Sequence, residues 1–159
     1  MKERGFVGIL VLLIMIAVLA SFVILPCIFR SRVESSEASA VGSLRTIVVA
    51  EQSYREAGWK NDAGVRLGYS LNLADLGCWL GDKLSRTSSC LVDDVLARAT
   101  SAKTAKSGYV YTRTNHGAGF TVNGNPATPG TRRYFFADQT GVIRFNSERT
   151  ANVNDTPLQ

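Results

Sequence analysis

The hydrophobic and polar positions divide the chain into one long uncharged run and a mixed remainder. Lys2, Glu3 and Arg4 precede Gly5, no charged residue occurs from Phe6 to Phe29, and Arg30 and Arg32 close the run. As a helix this stretch would extend about 36 Å at about 1.5 Å per residue, enough for a hydrocarbon core of about 30 Å. The pattern therefore predicts a transmembrane half-helix over 6–29. Pro26 lacks an N–H and its ring crowds the carbonyl four residues back, so a bend near Phe22 is expected. Beyond Val33 the spacing becomes amphipathic: Val41, Leu44, Ile47, Val48 and Tyr54 recur at helical intervals, with Glu37, Arg45, Glu51 and Glu56 at polar positions. Glu51 and Arg55 stand four apart in the favourable order for a surface pair. Gly58 marks a helix end. The two halves, 6–29 and 30–57, are expected to form one helix from Phe6 to about Ala57.

The remaining chain, 58–159, reads as a small α+β head. Residues 58–68 are polar and Gly-punctuated, a loop. Leu71, Leu73 and Leu76 are expected to anchor a short turn against the helix, with Trp79 and Leu80 adding apolar surface beside Cys78. Leu91 to Ala102 is expected to be a short helix with Ser89 as N-cap, Asp93 and Asp94 in its first turn, and Leu91, Val95 and Leu96 facing inward. Strand patterns follow over Gly108–Thr114 and Phe120–Val122, with Asn123–Gly130 as a loop. Arg132–Ala137 and Val142–Asn146 flank Asp138–Gly141 as a hairpin. The expected fold is thus α+β: a long N-terminal transmembrane and amphipathic helix packed on an antiparallel sheet of about four strands. The tail after Ser147 is expected to hug the surface or fray.

Composition changes this picture little. With 159 residues, the part beyond Arg32 suffices for one small domain. The net charge of +5 lies partly at the ends of the apolar run and is otherwise spread without a Lys/Arg stripe, and only Arg132 and Arg133 are adjacent, so nucleic-acid binding has little support. Cys78 and Cys90 are 12 apart; in an oxidising compartment they would form a disulfide, in a reducing one two free thiols. Cys27 in the apolar run is read as a small hydrophobe. The run is too long for a cleavable secretory signal and ends without an Ala-x-Ala site. The one histidine, His116, sits in a Gly-rich turn with no carboxylate or cysteine near it in sequence, and adjacent helical residues such as Asp93 and Asp94 do not face one way. No zinc spacing, phosphate-cradling loop or nucleophile elbow is present. No catalytic residue, metal site, cofactor or small-molecule substrate is expected, and the protein is not read as an enzyme.

Several stretches together resemble a known family. Lys-x-x-Gly-Phe at 2–6, the uncharged span, a proline and SRVESSEASAVGSLRTI resemble the type IV pilins and the related pseudopilins. EASAVGSLRTIVVAEQSY resembles the outer half of the pilin helix, and TPGTRRYFFADQTGVIRFN the final hairpin of small bacterial pilins; with YSLNLADLG the resemblance covers most of the chain. It implies cleavage of a short basic leader, 1–5, after Gly5 by a prepilin peptidase, and N-methylation of Phe6. It implies a single-pass inner-membrane precursor with a cytoplasmic N-terminus and an extracytoplasmic head. Assembly with other pilin-like subunits would then give a cell-surface or periplasmic filament. The family's pattern carries a glutamate where this chain has Leu10, and Pro26 falls one residue early. The resemblance therefore implies a minor or diverged pilus-like subunit. Its alternatives are a pseudopilin of a type II secretion system and an unprocessed single-pass protein with an extracytoplasmic binding domain.

Overall fold

The computed structural model describes residues 2–79, 84–130 and 132–158. Inside its first helix the side chains of residues 2–11, 17 and 19–29 lie outside the described residues. The first helix, α1, spans Lys2–Ala57. The chain divides into two compact units, Met1–Ser35 and Ser36–Gln159. In the first, Leu12, Leu13, Ile14, Met15 and Ile16 form five successive exposed apolar positions, each 54–58% exposed, and Arg30 pairs with Glu34 one turn on at 3.4 Å.

In the second unit, α1 turns a continuous face inward. Ala40, Leu44, Ile47, Val48 and Tyr54 are buried, and so are Glu37, Ser43 and Glu51. Each fully buried Leu or Ile stabilises the fold by about 1.5–3 kcal/mol. Gly58 stops the helix: its φ is +67°, a left-handed conformation that costs glycine little, and its N–H donates to the Arg55 carbonyl at 3.2 Å.

A single antiparallel sheet packs on that face. Its strands are β1 (Tyr109–Asn115), β2 (Phe120–Pro126), β3 (Tyr134–Asp138), β4 (Arg144–Asn146) and β5 (Thr156–Pro157), in the spatial order β1-β2-β3-β4-β5. Alternation decides which residues face the helix. On β2, Phe120, Val122 and Gly124 are buried, and in register Val122 lies opposite both Arg113 and Ala137. A Cβ on Gly124 would stand 3.4 Å from the Tyr111 ring and 3.6 Å from Leu44, so glycine lets helix and sheet close together here. Tyr69 packs edge-on against Phe120 at 4.9 Å between centroids. Between helix and sheet lie a 3-10 turn at Leu73–Leu76, the one-turn helix α2 (Asp94–Ala97) and a second 3-10 turn at Ala102–Thr104.

The expected fold class is corrected in two respects. The sheet has five strands rather than four, because the tail returns to add β5 beside β4, with Leu158 N–H donating to the Ile143 carbonyl at 2.7 Å. Among the described residues no helix is long and apolar enough to cross a membrane, so the transmembrane half expected over 6–29 is not seen there; most of its side chains lie outside the described residues. Smaller corrections follow. The stretch 91–102 holds only one α-turn, capped by Asp93, whose carboxylate accepts from Leu96 N–H at 2.8 Å; Ser89 instead donates from its hydroxyl to the Asp75 carbonyl. Val95 and Leu71, expected inside, are 60% and 55% exposed. Strand β2 runs through Asn123–Pro126, read as loop from its polar composition, because pairing with β1 holds it extended. The contribution expected of Leu80 lies outside the described residues.

Candidate functional site

All four positions singled out for processing and assembly, Gly5, Phe6, Leu10 and Pro26, lie in α1, where their side chains are outside the described residues, as is that of Cys27. Cys78 and Cys90 are joined in a disulfide and both are exposed. The segment it closes is also held by backbone bonds: Ser89 N–H to Asp75, Cys90 N–H to Gly77, and Leu91 N–H to Leu76, at 2.8–3.0 Å. Such a covalent link belongs to an oxidising, extracytoplasmic environment.

Two buried carboxylates on α1 clamp the sheet. Glu51 is fully buried, and Arg113 of β1 has a side chain 1% exposed. Arg113 Nε donates to Glu51 Oε1 at 2.7 Å and its Nη1 to the Leu71 carbonyl at 3.2 Å. Ser70 completes the cage, donating from its hydroxyl to Oε1 at 2.6 Å and from its backbone N–H to Oε2 at 3.0 Å. Glu51 therefore does not make the surface pair with Arg55 that the sequence suggests; Arg55 donates to the Tyr69 hydroxyl instead. Fourteen residues earlier on the same face, Glu37 accepts from Arg133 N–H at 2.9 Å and from Arg133 Nε at 2.8 Å. That guanidinium stands 5.0 Å from the Phe145 ring. The signal for both clamps was the sevenfold spacing Glu37–Leu44–Glu51, which returns to one helix face every two turns. Neither arginine partner was foreseeable from position alone.

Burial also shapes the tyrosines. The Tyr54 phenol, which donates to the Arg86 carbonyl, is pushed up to about 12 by desolvation and by the nearby Asp75 and Glu51, against the opposing pull of Arg86 and Arg113. Tyr109 is raised further, again mainly by burial, with Glu37 adding to the effect. At Asp93 slight burial works upward, but the hydrogen bond from Lys106, the Leu96 amide and the Lys106 charge together hold the carboxyl below its usual range.

Several open clefts mark the surface of this unit, a groove around Arg55 and Arg66 and two others among them. One, about 340 Å³, runs beside the outward face of α1 between Arg45, Thr46, Val49, Ser53 and Leu91. The other, about 530 Å³, lies on the sheet face turned away from α1, between the β1–β2 turn and the C-terminal segment. His116 stands at its rim with Nε2 3.1 Å from the Thr121 hydroxyl, and among the described residues no carboxylate bonds to the ring. Among the described residues no group of three His, Cys, Asp or Glu side chains is placed to hold a metal ion. No protein family, curated protein or solved structure matches the chain.

Proposed function

We propose that this chain is a structural subunit of a type IV pilus-like filament, assembled through α1 after removal of the leader at Gly5. One observation carries the reading. Residues 12–16 cover every side of more than one helical turn, and all five are apolar and more than half exposed. A helix apolar on all sides requires a cover, and burying each such Leu, Ile or Met side chain against neighbouring helices contributes about 1.5–3 kcal/mol. Copies or paralogues of the same helix supply that cover in a filament, with the sheet-bearing units as its outside surface. The partners in this reading are other pilin-like subunits, a prepilin peptidase and its methylase, and the filament stands at the cell surface or in the periplasm.

Leu10 favours a second reading, a pseudopilin of a type II secretion system. The family glutamate there neutralises a neighbouring subunit's N-terminal amine, and a leucine leaves that amine unpaired in an apolar bundle, at a cost. A subunit at the tip, with no neighbour beyond it, escapes this cost. The reading is tested by intact mass spectrometry of the protein recovered from filament-producing cells. The expected species begins at Phe6 and carries one added methyl group. Recovery of the chain with Met1 in place would overturn processing and the assembly that depends on it.

A further inference from the structure

The cleft of about 530 Å³ on the outer sheet face is lined by a carboxylate with no ion-pair partner among the described residues. Its floor is Phe136, 6% exposed, and one wall is Val153, 52% exposed. Asp138 lines it and is itself only 9% exposed. The Asp138 Oδ1 atom accepts from Thr140 N–H at 2.9 Å and from the Thr140 hydroxyl at 2.5 Å, bonds that shape the β3–β4 turn. Its Oδ2 has no hydrogen-bond or ion-pair partner among the described residues. The other residue able to carry charge in the lining, His116, has Nε2 turned to Thr121.

A carboxylate on a residue only 9% exposed, with its second oxygen free to meet an open apolar cleft, attracts a cation. Phe136 and Asp138 are two residues apart on β3, so both point to the same face, about 6.6 Å apart along the strand. That interval places a flat cation between an oxygen that accepts its N–H bonds and an aromatic ring that attracts its charge. We propose that this cleft is a binding site for an amidinium or guanidinium group carried on a flat or apolar body. The site is independent of the filament reading: it is built wholly within the unit 36–159 and uses no residue of the N-terminal run.

The probe is benzamidine, with neutral benzamide as its near-isostere, measured by saturation-transfer NMR on the full chain in detergent. Benzamidine is expected to bind at least about tenfold more tightly than benzamide, the effect of one charge-assisted pair. Asp138→Asn keeps the Oδ1 acceptor for Thr140 and therefore the turn. It is expected to weaken benzamidine about tenfold while leaving the thermal melt unchanged. N-acetyl-arginine methylamide distinguishes the sources: competition with benzamidine assigns the site to an arginine side chain of a polypeptide, and failure to compete assigns it to a free aromatic cation. Equal binding of benzamidine and benzamide, equal binding by the wild type and Asp138→Asn, or no binding at all would overturn the proposal.

Discussion

Glu51→Leu tests the central clamp. The substitution removes a carboxylate that accepts three hydrogen bonds, from Arg113 Nε and from the Ser70 hydroxyl and N–H. It leaves Arg113, its side chain 1% exposed, as an uncompensated charge in the interior. Breaking one side of such a pair costs about 3–5 kcal/mol, and the three lost bonds place Glu51→Leu near 4 kcal/mol. Arg113→Met is expected to cost less, about 3 kcal/mol, because Ser70 continues to hold the Glu51 carboxylate. The double variant carries neither charge, so its loss should fall short of the summed single losses by about 2 kcal/mol. Urea unfolding of the full chain in detergent, followed by fluorescence of Trp59 and Trp79, reads all four corners of the cycle. A loss below about 1 kcal/mol for Glu51→Leu, the value of an exposed pair, would refute the buried clamp.

Three further outcomes are expected. Reducing Cys78–Cys90, or replacing both residues by Ser, should lower stability by about 3 kcal/mol, seen as a lower midpoint in denaturant; an unchanged midpoint would show that the backbone bonds around Ser89 and Leu91 hold the segment alone. At Gly77→Ala the new Cβ would stand 2.7 Å from Ala97 Cβ, so the 3-10 turn and α2 must part, at about 1–3 kcal/mol, and an unaltered melting temperature would contradict that packing. Asp93 has a depressed carboxyl, so the stability it contributes is present above the ordinary carboxylate value of about 3.9 and is lost as pH falls through its lower folded value. In Asp93→Asn the acid limb of the stability–pH curve should flatten, and an acid limb identical to wild type would remove Asp93 as a contributor.

Much of the sheet was legible because its strands alternate. Tyr109 and Tyr111 of β1, and Phe135 and Ala137 of β3, fall on one face by the period of two, and that face packs on the helix. The turn at Gly141 was legible from chemistry: its φ of +78° is one that glycine adopts without strain. What was not legible depends on tertiary pairing. Asn123–Pro126 is polar and breaks the strand pattern, yet β1 supplies its ladder, and Asn123 donates from its side chain to the Ala151 carbonyl. The tail after Ser147 has little apolar content, but Ala151 is 2% exposed under that bond, and Arg149, Asn146 and Asn152 N–H all converge on Asp155. Glu37 and Glu51 share the Leu44 face by their spacing, yet as acids they read as solvent positions, because a buried acid needs an arginine that the sequence places elsewhere. Asp138 was read only as part of a hairpin turn; its second oxygen acquires meaning when the C-terminal segment builds a wall beside it.

The two clamps also set a schedule. Glu51 meets Arg113 from 62 residues further on, and Glu37 meets the backbone of Arg133 from 96 further on. Since the helix is made first, each acid waits for its partner. At about 5–20 residues per second the delays are roughly 3–12 s and 5–19 s. During that interval the apolar face of α1 cannot close without stranding a charge, so premature collapse of the helix onto itself or onto neighbours is discouraged until β1 and β3 have been synthesised. The buried acids act as a timer on docking, and a variant with both replaced by leucine is expected to gain sticky intermediates sooner than it loses its native state.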